Sequence, residues 1–565
     1  MTIFKDLLLH GYFPSQAPPC FASEEFAKHA TAIRKSVDTA KALGPSLYSS
    51  GTRPDQFSVA RSRRSRRPVT IPNPIAQLEL SYLIARNWKA LERRMARSSL
   101  SQSKPQLSLE NGRAITFPSH SALYEMRLSH ASTSRYALIS DISQYFPSLY
   151  THTVAWAIHG RDKAKKKRFD KSLLGNRLDS AIQQCQHRQT IGIPIGCDTS
   201  HIIAELVGSA IDEMLVSLTG GNLKGYRHVD DFALFYDSLT EAEQGLTALE
   251  TATRAFELKL NPIKTKIVPV ADLLDESWSH ELQTFSFSPI HAVQRRQIHH
   301  FFELSHKLLT QQDDDSVIRY ALGRMSAVIV KRQNWDIFQA HLLRCALAFP
   351  STIEDVALLF YTYHTIGYEP DLGQLESTIN LVVSEHLILQ HHSELAWALW
   401  LALYFKVPIN CAFGREQLLG AGSTTQLLLL ELLGRKQLGS KIDRRWLRPL
   451  AQEDLLFDEG WLFTYEASQR GWISAPKKVN VAKSNRFFSA LCSNLITFFK
   501  PERLPQPLFK RKPSLSEEQL TSDEDIATEF EYSEIKKSYQ GAEILQDFYL
   551  DDLSDPDKSD DEDEF

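Results

Sequence analysis

Gly225-Tyr-Arg-His-Val-Asp-Asp-Phe-Ala-Leu-Phe235 decides how this chain is read. Adjacent carboxylates, Asp230 and Asp231, stand between two short runs of strand-forming residues, a spacing that predicts a β-hairpin with the acids at its tip. Alone, an Asp-Asp pair is ordinary turn chemistry. Its meaning changes with Tyr136-Ala-Leu-Ile-Ser-Asp141, a second strand-like run that ends on a third carboxylate. Two strands delivering Asp141, Asp230 and Asp231 to one point suit a pair of Mg²⁺ ions about 3.5–4 Å apart, which clamp the attacking and leaving oxygens of an in-line phosphoryl transfer.

Around these runs, residues 136–270 alternate short apolar stretches with helical periods at 201–218 and 241–258, a mixed α/β pattern. Upstream, residues 1–50 read as a helical lead-in. A basic stretch follows (Arg53, Arg61, Arg63, Arg64, Arg66, Arg67), then the proline-rich extended segment 68–74 and a helix over 77–98 carrying Leu80, Leu83, Ile84, Trp88 and Leu91 on one face. From about residue 290 to 500 the strand signal is gone. Trp335, Phe338, Leu342 and Ala346 keep helical spacing, Ser351-Thr-Ile-Glu354 has the pattern of a capping box, and further helices are expected at about 372–390, 393–405, 414–434 and 443–455. No fixed-period repeat is visible, yet successive helix pairs resemble an α-solenoid of the HEAT kind.

The 565 residues, 43% apolar and 23% charged, exclude a wholly disordered chain. The net charge of −4 conceals a division: residues 514–565 hold 19 Asp/Glu against 3 Lys/Arg, a charge of −16, so the rest carries +12. A basic body with an acidic tail points to a polyanion as partner and to a disordered appendage. Six scattered cysteines without a C-x-x-C fit a reducing compartment rather than a disulfide or zinc scaffold. The first residues lack the pattern of a signal peptide, and the longest apolar run, the 11 residues from Leu395 to Phe405, falls short of the ~20 that span a bilayer. The expectation is a soluble, cytoplasmic protein with no membrane partner. His299-His300 and Cys185-Gln-His187 are read as structural rather than metal-binding.

With these runs in view, the chain resembles a reverse transcriptase, its boxes in the family's order. Arg67-Pro-Val-Thr-Ile-Pro72 resembles the fingers segment, Asp141-Ile-Ser-Gln-Tyr-Phe146 motif A, Gly192-Ile-Pro-Ile-Gly196 with Thr199-Ser200 motif B, His228-Val-Asp-Asp231 the YxDD box of motif C, and Leu260-Asn-Pro-Ile-Lys264-Thr motif D. A closer resemblance, over about residues 1–290, is to the bacterial abortive-infection (Abi-type) or defence-associated reverse transcriptases. It rests on Ile71-Pro-Asn-Pro74 with Asn87-Trp88, on Tyr150-Thr-His-Thr-Val-Ala-Trp156-Ala-Ile-His-Gly160, and on Gln189 through His201 with Glu205. Members synthesise DNA, in some cases without a template and primed from a protein tyrosine, and protect bacteria against phage.

The resemblance implies an α/β plus all-α fold: an N-terminal helical extension (1–55), right-hand polymerase fingers and palm (56–285), a helical-repeat domain (286–504) and an acidic disordered tail (505–565). It implies Asp141, Asp230 and Asp231 as ligands of two Mg²⁺ ions, or Mn²⁺ in their place, helped by the Ile142 carbonyl. Phe146 stands where the family keeps a steric gate against a ribose 2′-OH, and Arg67 and Lys264 where it contacts the incoming triphosphate; Lys266 is a neighbouring competitor for Lys264. Arg61, Arg63, Arg64 and Arg66, with Lys163-Ala-Lys-Lys-Lys-Arg168, can neutralise the phosphates of RNA or single-stranded DNA whatever the sequence. Tyr48 is the first candidate for a priming hydroxyl and Tyr12 the second. Members assemble into rings, so a homo-oligomer is expected, with dNTPs as substrates.

Two positions depart from the family: His228 replaces the usual Tyr, and Ile195 replaces a Gln that positions nucleotide and template, from which we expect relaxed template dependence or an unusual template. Other readings remain open at this point. One is a retron or intron reverse transcriptase; another is an inactive relative acting as a nucleic-acid-binding scaffold.

Overall fold

The computed structural model describes residues 2–37, 51–61, 65–107, 113–116, 120–221, 223–273, 277–312, 314–474, 480–511 and 530–532. Its organising element is a four-stranded antiparallel sheet in the order β6-β7-β5-β8, made of β5 (Tyr136–Asp141), β6 (Lys224–His228), β7 (Asp231–Tyr236) and β8 (Lys266–Pro269). Strand alternation divides its side chains between two faces. Leu138, Phe232 and Leu234 join the core built on the helices Asp198–Leu218 and Leu239–Ala255, whereas Ala137, Tyr226, Ala233 and Phe235 pack with Leu123 of the helix His120–Ala131. Burial on both faces explains why the central strands β5 and β7 read as apolar runs.

A two-stranded ribbon, β1 (Asp55–Ala60) and β2 (Arg66–Ile71), and a short pair, β3 (Gln106–Leu107) and β4 (Ile115–Thr116), precede the sheet in the chain. The proline-rich segment after β2 is extended, so its carbonyls need partners from elsewhere. Trp461 Nε1 donates to the Ile71 carbonyl at 3.0 Å and the Tyr12 hydroxyl to that of Pro72 at 2.6 Å. Asn73 donates to the Leu456 carbonyl at 2.7 Å and accepts from Ile75 N–H, capping the helix Pro74–Arg86 that has proline in its first turn.

These bonds tie opposite ends of the chain together, and so does the core. The helices Thr2–Leu9 and Glu24–Ser36 and residues Phe57, Ile71 and Leu78 share one apolar cluster with the C-terminal helices, where Trp461, Tyr465, Phe487 and Phe498 are buried. Helices within residues 2–37 thus share a core with the C-terminal half.

The C-terminal half is helical as expected, and several helices along the chain differ locally from their sequence pattern. The helix over 77–98 is two, Pro74–Arg86 and Trp88–Met95, hinged at Asn87. The helix at 414–434 breaks at Gly422, whose φ of +74° no β-carbon-bearing residue adopts cheaply. Residues 443–455 form 3₁₀ turns, with Pro449 inside the first, instead of an α-helix. Thr352 caps the helix Ile353–Thr365 without a side-chain bond, so Ser351–Glu354 makes no capping box. Phe509, assigned to the tail by composition, is buried against Tyr363, and Phe509–Arg511 pairs with Phe530–Tyr532. Residues 512–529 and 533–565 lie outside the described residues. Among those described, no helix is long and apolar enough to cross a membrane.

Candidate active site

Asp141 is the last residue of β5 and faces Asp231, the first residue of β7. The hairpin joining β6 to β7 closes through only two residues, Val229 and Asp230, because His228 pairs with Asp231. Three carboxylates therefore meet at one edge of the sheet. The Ile142 N–H donates to the Asp230 carbonyl at 3.2 Å and holds the two loops together.

A third segment closes the group. The chain after β5 runs antiparallel to residues 259–261: Ser143 N–H donates to the Lys259 carbonyl and Asn261 N–H to that of Asp141, and neither bond uses the Ile142 carbonyl. The Asn261 side chain donates to Asp141 Oδ2 at 3.3 Å, while its own oxygen accepts from Ile263 N–H, an Asx turn. Thr265 Oγ1 fixes the end of that turn by donating to the Asn261 carbonyl at 2.7 Å. The turn carries Lys264 back over the site, with Nζ 3.5 Å from Asp141 Oδ2 and only 9% of the side chain exposed. Lys266 has already entered β8 and is exposed.

Electrostatics follow from this convergence. Burial and the neighbouring charges of Asp231 and Asp141 hold the Asp230 carboxyl well above the usual carboxylate range, and burial with Asp141 pushes Asp231 up to about 7; Lys264 opposes both shifts. Asp230 Oδ1 is buried with no hydrogen-bond partner. An orphaned carboxylate oxygen among converging acids is the chemistry a hard divalent cation satisfies, so Asp141, Asp230 and Asp231 fit such an ion. His228, beneath the turn, is driven down to about 4 by burial and by Arg227, which leaves its imidazole neutral at physiological pH.

The remaining sequence-derived positions divide. Phe146, half-buried on the short helix Tyr145–Ser148, packs edge-on to His201 at 5.1 Å between ring centroids. Arg67 lies on β2 opposite Val59, and β2 is stitched to the glycine-flanked loop before the helix Asp198–Leu218: Thr70 N–H donates to the Ile195 carbonyl at 2.9 Å. Gly196 permits this approach, since a β-carbon there would stand 2.6 Å from Val69 Cγ1. Arg61 sits at the ribbon turn, its N–H on the Ser65 carbonyl. Arg66, expected on phosphate, instead forks onto buried Glu394 at 2.6 and 2.8 Å and joins the ribbon to the C-terminal helices. The basic residues of the 163–168 run are exposed around buried Ala164, with Arg161 and Lys165 over the Trp156 ring. Tyr12 is fully buried with its hydroxyl on Pro72, so it is no priming nucleophile. Arg63, Arg64 and Tyr48 lie outside the described residues.

Sequence reasoning gave no role to Asn261, to Arg227 or to the grouping of His386, His391 and Glu394, whose ligand atoms lie within 4.8 Å of one another. Both oxygens of Glu394 are engaged by Arg66, which accounts for that cluster as an ion-paired junction.

Residues 81–297 match the family model described as reverse transcriptase (RNA-dependent DNA polymerase). A search of curated proteins finds no match. Among solved structures, the chain is similar to telomerase from Candida albicans, determined in complex with a TWJ fragment of telomeric RNA. The identity is 11%, the match covers 64% of this chain and 67% of that one, and the TM-score is 0.29, too low to support an argument.

Proposed function

From the premise that the chain carries a reverse transcriptase domain and is an RNA-directed DNA polymerase by enzyme class, we propose that Asp141, Asp230 and Asp231 are its catalytic carboxylates and that it joins dNTPs into DNA. The observation that carries this is the meeting of buried Asp141, half-buried Asp230 and Asp231, and Lys264 at one end of the central strands, with Asp230 Oδ1 lacking any protein partner. Bound Mg²⁺ would bring the nucleophilic and phosphoryl oxygens together and offset their charge. The protein's part is positioning. Asn261 and the Ile142–Asp230 bond hold the carboxylate edges, Lys264 places an ammonium where triphosphate charge develops, and Phe146 sets the room beside the sugar.

The setting we propose is antiphage defence in a bacterium, in the manner of the abortive-infection enzymes whose boxes the chain resembles, with Tyr48 as the priming hydroxyl. The helical half with its stacked pairs would serve a homo-oligomer. Purified protein incubated with Mg²⁺ and labelled dNTPs, with and without primer–template, tests the activity. Incorporation by wild type and none by Asp230→Ala/Asp231→Ala is expected; silence under every condition would overturn it. Label that migrates with the protein and is lost in Tyr48→Phe supports protein priming. Incorporation only with an added primer removes it. Phage plating on cells carrying either version tests the defence setting, and equal plating on both would refute it.

A further inference from the structure

Arg227 is the only large cation whose side chain is wholly buried among the described residues, and it lies on β6 one residue before the box that supplies the carboxylates. Its five N–H groups are all used. Nε and one Nη bond Asp212 at 2.9–3.0 Å, both Nη atoms bond Glu205 at 3.0–3.1 Å, and Nη1 donates to the Val229 carbonyl at 2.6 Å. The carboxylates have further donors: Ser98 on Asp212 at 2.6 Å, Ser103 and Ser209 on Glu205 at 3.0 and 2.8 Å. The Arg227 backbone is fixed as well, its N–H on the Leu100 carbonyl and its carbonyl accepting from Gln102.

Val229, at the other end of this network, is conformationally costly. Its φ is +53° while Asp230 keeps a negative φ, the pattern of a II′ hairpin turn, in which glycine is favoured at the first central position. A β-branched residue resists that region, and the chain keeps it there by holding both peptide groups: Val229 N–H donates to Ser103 Oγ at 2.8 Å and its carbonyl takes the Arg227 bond. Helix Asp198–Leu218 makes room for the clamp. At Gly208 an added β-carbon would stand 2.7 Å from Arg227 Cζ, so the guanidinium lies directly on helix backbone between Glu205 and Asp212. Glycine is a poor residue for a helix interior, and the close approach is what it permits.

We propose that Arg227, anchored by Glu205 and Asp212, is a positioning residue that clamps Val229 in its left-handed conformation and thereby aims the Asp230 and Asp231 carboxylates at one metal-binding point. The inference deepens the polymerase reading and rests on it for its kinetic arm only. Cooperative loss of the clamp lets the turn relax to a conformation in which the two carboxylates no longer meet Asp141, so metal is held less well before any nucleotide arrives.

The test uses the full chain. Arg227→Met/Glu205→Gln/Asp212→Asn removes all three charges together, so no buried ion is left alone. Mn²⁺ titration followed by electron paramagnetic resonance, with thermal melting alongside, gives a readout that a merely structural role would not move. The half-saturating Mn²⁺ concentration is expected to rise about tenfold or more, the factor that goes with releasing a strained residue, and the half-activating Mg²⁺ concentration with it. Adding Val229→Gly, which accepts positive φ without a clamp, is expected to restore most of the affinity. Wild-type Mn²⁺ affinity in the folded triple variant, or no recovery with Val229→Gly, overturns the proposal. If the triple variant does not fold, Gly208→Ala decides: it displaces the guanidinium, keeps every charge and favours the helix, so a comparable rise supports the clamp and an unchanged affinity overturns it. Wild type that binds Mn²⁺ yet incorporates no nucleotide on any template counts against the polymerase reading and leaves the Mn²⁺ arm to judge the clamp.

Discussion

Lys264→Met separates the two things its ammonium does. In the structure Nζ stands 3.5 Å from Asp141 Oδ2, and both side chains are more than nine-tenths buried, so solvent screens the pair weakly. Two unit charges at that distance attract by about 5 kcal/mol at an effective dielectric of 20. Desolvation offsets most of this, leaving about 1–2 kcal/mol that a divalent cation must overcome when it takes over Asp141. Removing the ammonium should therefore tighten Mn²⁺ binding to the nucleotide-free protein by about five- to thirtyfold. Turnover should move in the opposite direction, by about a hundredfold, because a preorganised donor facing developing phosphate charge is lost. Titrating Mn²⁺ by electron paramagnetic resonance and measuring kcat at saturating Mg²⁺ reads both effects on one preparation. Weaker metal binding together with unchanged turnover would refute the placement of Lys264 over the metal-binding edge and leave it a structural ion pair.

Phe146→Ala should raise incorporation of ribonucleotides relative to deoxyribonucleotides by about tenfold or more, the scale for opening an apolar contact beside a substrate group; competition between labelled dNTP and rNTP checks it. Asp55, buried beside Ser423, has its carboxyl pushed up to about 8 by burial, against the lowering effect of the Ser423 hydroxyl. The folded chain keeps that proton while the unfolded chain releases it near pH 4, so stability falls as pH rises from about 4 to about 8 and is level above. Asp55→Asn should thus match wild type at pH 4 and melt about 2–3 °C higher at pH 9, for about 2–4 kcal/mol; an equal difference at both pH values would remove this account. Glu394→Gln leaves Arg66 without its carboxylate at a partly buried junction and should cost about 2–4 kcal/mol, read as a lower melting temperature, with polymerisation at low temperature retained.

How much of this was legible in the chain follows from the distance over which each feature is encoded. The hairpin with Asp230 and Asp231 and the strand ending at Asp141 are local patterns of period two, and they appear in the sheet where the sequence puts them. Lys264 over Lys266 was not decidable from spacing, because the answer lies in the Asx turn at Asn261, which spends two residues reversing the chain before β8 begins. Arg66 and Arg67 are neighbours of one composition. Only the packing of Glu394, more than 300 residues away in sequence, commits one of them to an ion pair.

The clamp under the carboxylates left a trace that pattern reading passes over. Glu205, Gly208, Ser209 and Asp212 recur at helical spacing on a single face of a helix whose other residues from Ile202 to Ile211 are apolar, and Arg227 stands three residues ahead of the Asp-Asp pair. A helix whose polar stripe carries two acids and a glycine cannot be facing solvent if its remaining positions are the core of a sheet. The stripe must meet a buried cation small enough in cross-section to lie on bare backbone, and a guanidinium's flat fork meets that requirement where an ammonium would leave donors and lone pairs unmatched. The same reasoning says why Lys is no substitute: Arg227→Lys reaches at most three acceptors with one point charge, so of Asp212, Glu205 and the Val229 carbonyl at least one oxygen loses its partner, and the strained turn loses its hold on the chain.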